Sequence, residues 1–80
     1  MQNQTTLSKL SCGDSAEISH YNSDLLPAKF YEMGLQPGAL IQIRNKAPLN
    51  GPVCINILEN DSLIAVRQSE ANQIIVRKIA

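Results

Sequence analysis

Apolar and polar residues alternate in short runs along most of this chain, and a helical spacing appears in one segment only. Ala16-Glu17-Ile18-Ser19-His20 and Leu40 to Lys46 both show the period of two expected of a half-buried strand. Val53, Ile55 and Ile57 share one face of a third run, with Cys54 and Asn56 on the other. Leu63 to Arg67 and Ile74 to Ile79 supply two more strands. The helical segment runs from Leu25 to Met33, where Leu26, Phe30 and Met33 recur at i, i+4 and i+7. Ser23 or Asp24 can cap it, and Pro27 fits its first turn, where an N–H has no helical partner.

The breaks between these runs carry turn chemistry. Gly34 reads as the left-handed stop of the helix, with Leu35 placed to fold back and Met33 to pack down beside it. Gln36-Pro37-Gly38-Ala39 has Pro and Gly at the two central positions of a type II turn. Pro48-Leu49-Asn50-Gly51-Pro52 is a loop whose prolines, Pro48 and Pro52, keep it out of a ladder, with Asn50-Gly51 expected to reverse the chain. Further turns are expected at Cys12-Gly13-Asp14 and Glu59-Asn60-Asp61-Ser62, and Ser69 is placed to cap one helical turn through Asn72. Residues 1–6 are polar and read as a flexible tail, with the domain over 7–80 and Leu7 and Leu10 its first core residues. Five short strands, tight turns and one inserted helix predict an all-β domain, closed or nearly closed as a small barrel.

Composition narrows the picture. The 80 residues allow one domain. A 44% hydrophobic and 18% charged chain folds rather than staying disordered. Seven Lys and Arg balance seven Asp and Glu, so the basic excess of a nucleic-acid binder is missing. The basic residues, Arg44, Lys46, Arg77 and Lys78 among them, read as scattered and solvated. No apolar run approaches the ~20 residues that cross a bilayer, and Met1 to Thr6 lacks the charged and apolar regions of a signal peptide. A soluble, cytoplasmic protein is expected.

Candidate chemistry is sparse. Cys12 and Cys54 form no Cys-x-x-Cys pair and read as small, buried or half-buried thiols. His20 matches no metal motif, which leaves adventitious Fe(II) or Zn(II) binding, with Asp24 or Glu17, as the one metal reading. No Gly-rich phosphate loop is present. One His and two unpaired Cys make a poor catalytic set. An enzyme is therefore not expected, nor a cofactor. Arg44 or Arg67 as an arginine finger on a partner GTPase is weaker than the solvated reading.

Three segments in order resemble one family. Lys29-Phe30-Tyr31-Glu32-Met33-Gly34-Leu35-Gln36-Pro37-Gly38 is similar to the helix and Met-Gly-Leu-x-Pro-Gly turn of ferrous iron transport protein A (FeoA). Ala47-Pro48-Leu49-Asn50-Gly51-Pro52 resembles the family's Ala-Pro-Leu-Gly-Asp-Pro loop. Leu63-Ile64-Ala65-Val66-Arg67, Glu70-Ala71 and Ile74-Ile75-Val76 match its closing pattern. Two departures stand out: Lys29 where the family often has Arg, and Asn50-Gly51, which removes a carboxylate from the loop.

The resemblance implies a small SH3-like barrel of about five strands with one short helix inserted. It also implies a partner, the membrane ferrous iron transporter FeoB with its cytosolic GTP-binding domain. Similar barrels form the C-terminal domains of iron-dependent repressors, so a metal-sensing regulatory domain with His20 as a ligand is the alternative. Leu25, Tyr31, Leu49 and Asn50 are the partner-contact candidates, at the helix start, off the apolar stripe and on the loop tip. Met33, Gly34, Leu35, Pro37, Gly38, Pro48 and Pro52 are assigned structural roles.

Overall fold

The computed structural model describes residues 4–22 and 28–79. Six strands form one antiparallel sheet in the order β1-β6-β2-β3-β4-β5. They are β1 (Gln4–Thr6), β2 (Ser15–Tyr21), β3 (Leu40–Lys46), β4 (Val53–Ile57), β5 (Ser62–Val66) and β6 (Ile74–Ile79), with helical turns α1 (Lys29–Glu32) and α2 (Gln68–Ala71). A 3-10 turn at Leu7–Lys9 follows β1. Alternation fixes which face each strand buries: Ala16 and Ile18, Ile41 and Ile43, Val53, Ile55 and Ile57, Ile64 and Val66, and Ile74 and Val76 all enter one core. Phe30 is the one aromatic ring buried with them.

β2 lets the sheet curl. It pairs with β3 only through Ser15, Ala16 and Glu17, but with β6 along its whole length, with a bulge between Ile18 and His20. A bulge of this kind bends the strand and raises its twist. Beyond Glu17 the β3 side of β2 is taken by the Pro37-Gly38 turn: the Ile18 N–H donates to Ala39 O (2.9 Å), and the Gly38 N–H to Ile18 O (2.8 Å).

Several expectations change. The polar N-terminus is not a loose tail from Gln4 onward, because Gln4, Thr5 and Thr6 pair with Arg77, Val76 and Ile75. The sheet thus has six strands, and its ladder does not close among the described residues: β1 and β5 are its edges. The N-cap of α2 is Arg67, whose N–H donates to the Glu70 carboxylate (3.1 Å), so Ser69 lies inside the helix rather than capping it. Of the predicted helix, Leu25, Leu26 and Pro27 lie outside the described residues, as do the expected caps Ser23 and Asp24. Met33 is 38% exposed and does not pack down with Phe30 and Leu35.

Lys46 is not a solvated lysine. It is half-buried, and its ammonium donates to the carbonyls of Ser8 (3.0 Å) and Leu10 (2.9 Å), tying the 3-10 turn to the end of β3. Arg77 is also partly buried and faces Glu17 at 3.6 Å across β2 and β6.

Candidate functional site

Two turn regions carry the predicted site residues, and the β3–β4 ribbon holds them apart. At one end, α1 terminates in a Schellman arrangement. The Leu35 N–H donates to Phe30 O (2.8 Å) and the Gly34 N–H to Tyr31 O (3.1 Å), with Gly34 at φ +95°. A Cβ on Gly34 would lie 3.3 Å from Asn60 Nδ2 and 3.7 Å from Ile57 Cγ2, so this turn rests on the β4–β5 connection. Leu35 is fully buried beneath it. The Ala39 N–H donates to Gln36 O (2.9 Å) with Gly38 at φ +93°, which is the expected type II turn.

Tyr31 projects from this end, 48% exposed, with its ring edge-on to Tyr21 at a centroid separation of 5.0 Å. The Tyr21 hydroxyl is buried without a hydrogen-bond partner. Its pKa is pushed up to about 12, first by burial and then by the neighbouring Tyr31. Next to the Pro37-Gly38 turn, an open apolar cleft is lined by Gly38, Ala39, Leu40, Leu58 and Glu59.

The other end is the tip of the β3–β4 hairpin. The Ala47 N–H donates to Pro52 O (3.0 Å) and the Gly51 N–H to Pro48 O (3.1 Å). Leu49 and Asn50 both have φ +59°, so the reversal is a type I′ turn centred on them, not on Asn50-Gly51. Gly51 serves another purpose. A Cβ there would fall 2.6 Å from Ala47 Cβ, and glycine is what lets the two arms close. Leu49 is 98% exposed at the apex, with Pro48 and Pro52 exposed on either side.

Register sets the distance between the two ends. Ile41 pairs with Ile57 beside the helical turn, and Lys46 pairs with Val53 below the tip. Five strand steps separate them, roughly 17 Å at strand rise. Tyr31 and Leu49 therefore do not form one patch, while Leu49 and Asn50 are adjacent. Leu25 lies outside the described residues.

The sequence reading missed four exposed apolar side chains: Leu40 (43%), Leu58 (44%), Leu63 (62%) and Ile79 (43%). For Leu40 and Leu63 a signal existed. Each sits on the polar parity of its strand, beside inward-facing Ile41 and Ile64, so an apolar residue there must face out.

The nucleophiles and metal ligands are scattered. Cys12 is exposed on a turn rather than buried, and Cys54 is half-buried. His20 Nδ1 hydrogen-bonds Ser19 Oγ (3.0 Å), and His20 lines a shallow groove with Lys9 and Asn22. Glu17 faces Arg77, and Asp24 lies outside the described residues. Among the described residues no three His, Cys, Asp or Glu side chains come together, and no helix is long and apolar enough to cross a membrane.

Comparison with known proteins gives a consistent result. The family model of the FeoA domain matches residues 5–78. The FeoA protein from Chlorobium tepidum is similar at 31% identity and a TM-score of 0.85, over 95% of this chain and 71% of that one. FeoA of Stenotrophomonas maltophilia, a prokaryotic SH3 domain protein solved with zinc, is similar at 26% identity and a TM-score of 0.72, over 90% and 88%. A manganese-dependent transcriptional repressor shares the fold, with a TM-score of 0.82 at 16% identity over 99% of this chain and 44% of that one. A comparison with curated protein sequences gives no match. The fold is an SH3-like sheet of six antiparallel strands with two short helices, and the chain belongs to the FeoA family of ferrous iron transport.

Proposed function

We propose that this chain is a cytoplasmic accessory protein of bacterial ferrous iron uptake, which docks on the cytosolic part of the transporter FeoB and modulates it without catalysing a reaction. The observation that carries this reading is Leu49. A leucine in left-handed backbone costs about 1–2 kcal/mol, and this one returns no packing energy within its own chain because it is 98% exposed. Strain of this sort persists where the side chain serves a site. The hairpin holds Leu49 between two prolines, which limits the ordering cost on binding. Residues 47–52 carry no charge, so the contact is apolar and its affinity should change little with salt.

Titration calorimetry against detergent-solubilised FeoB tests this. Leu49→Asp should weaken binding at least about tenfold, in the range of a truncated hot spot, with an unchanged circular dichroism spectrum. Unchanged affinity would remove the tip from the interface. The alternative, a metal-sensing regulatory domain, draws on the fold shared with the manganese-dependent repressor. Stoichiometric, His20-dependent uptake of Fe(II) or Zn(II) in equilibrium dialysis would favour it.

A further inference from the structure

The free edge of β5 has the properties of a self-complementary interface. β5 ends the strand order and pairs with β4 alone. Among the described residues, no backbone–backbone hydrogen bond outside that ladder involves Ser62 to Val66, and at the strand's start the Ser62 N–H donates to Asn60 Oδ1 (3.1 Å). Natural edge strands are usually blunted by a charge, a proline or a bulge. Ser62-Leu63-Ile64-Ala65-Val66 contains no charged residue and no proline, and its register with β4 is unbroken. Leu63 is 62% exposed and Ala65 is exposed beside it.

Charge lies at the two ends. Asp61 precedes the strand and Arg67 follows it; both are exposed, Asp61 Oδ1 accepts from Asn56 Nδ2 (3.3 Å), and neither forms an ion pair among the described residues. We propose that this edge pairs with the same edge of a second copy of this chain, antiparallel about a two-fold axis at Ile64. That register sets Leu63 opposite Ala65 of the other copy, twice, on the outer face. It also brings Arg67 of each copy toward the turn that carries Asp61 of the other, where Asp61 sits at φ +54° just before the strand. A parallel pairing would instead put like charges together at both ends. A two-fold contact of identical patches closes on itself, which limits assembly to a dimer. Five paired residues fall at the small end of interface sizes, so the dimer is weak and concentration-dependent.

Sedimentation equilibrium of the full chain up to about 1 mM, the range of weak association, tests the pairing. The wild type should show a reversible monomer–dimer equilibrium. Leu63→Lys, which adds the usual edge charge at an exposed position, should weaken it at least about tenfold. Arg67→Glu and Asp61→Lys should each weaken it by like-charge contact, and the double variant should restore it. A wild type that stays monomeric overturns the proposal. So does a dimer that none of the three single variants weakens, or one weakened by both charge variants that the double variant fails to restore. Circular dichroism confirms that each variant is folded.

Discussion

The helix end at residues 33–38 and the hairpin tip at residues 47–52 both turn through left-handed backbone, and they meet that demand with different residues. At the helix end the left-handed positions are Gly34 and Gly38, at φ +95° and +93°. Glycine adopts such angles without steric cost, and the turn has an internal purpose: Leu35 goes under it, fully buried. At the tip the left-handed positions are Leu49 and Asn50, and Leu49 packs on nothing in its own chain. One region spends its residues on the fold. The other holds a strained apolar residue exposed at its apex, the contact proposed above for FeoB.

Stability measurements sharpen this contrast. Leu35→Ala should show the largest effect, about 2–5 kcal/mol in urea unfolding, as for a buried leucine whose cavity cannot collapse. Gly34→Ala adds a Cβ 3.3 Å from Asn60 Nδ2 at a left-handed φ, and should cost about 1–3 kcal/mol. Gly38→Ala meets nothing within 4 Å, so backbone strain alone, about 1 kcal/mol, should appear. Leu49→Asn should reverse the sign. Asparagine suits a type I′ turn, and the variant should gain roughly 0.5–1 kcal/mol while losing affinity for FeoB. A Leu49→Asn variant that loses stability would break the comparison.

A smaller effect concerns alkaline pH. Burial, and then the neighbouring Tyr31, push the Tyr21 hydroxyl up to about 12 in the folded chain, above the ordinary tyrosine value of about 10. Between those values the unfolded chain has lost the proton that the folded chain retains. The stability tied to the neutral hydroxyl is thus complete below pH 10 and falls as pH rises toward 12. Phenolate absorbance followed alongside unfolding should show that decline, and Tyr21→Phe should abolish it.

The strands were legible because alternation and burial coincide: β3 runs from Leu40 to Lys46 as its pattern predicts. The Pro37-Gly38 turn and the Gly34 stop were legible because few residues tolerate those angles. Other features depend on contacts that local sequence does not encode. Gln4 to Thr6 are polar, yet they form a strand because β6 offers an edge 70 residues later in the chain. Asn50-Gly51 looked like the reversing pair, but close approach to Ala47 claims Gly51 and shifts the turn to Leu49-Asn50. Helical spacing placed Met33 on the buried face, but α1 ends at Glu32 and leaves Met33 beyond it and exposed. The candidate site was half visible. Leu49 stood out as an apolar residue on a proline-flanked tip, whereas its separation from Tyr31 follows only from the β3–β4 register.

In the proposed docking mode the tip, rather than the helix end, meets FeoB. An NMR titration of the isotope-labelled chain with detergent-solubilised FeoB, with and without guanine nucleotide, tests it most directly. Shifts or broadening should concentrate in residues 47–52 and be absent from the Leu49→Asn variant. Unperturbed tip signals, in either nucleotide state, while the helix end responds or nothing does, would contradict it.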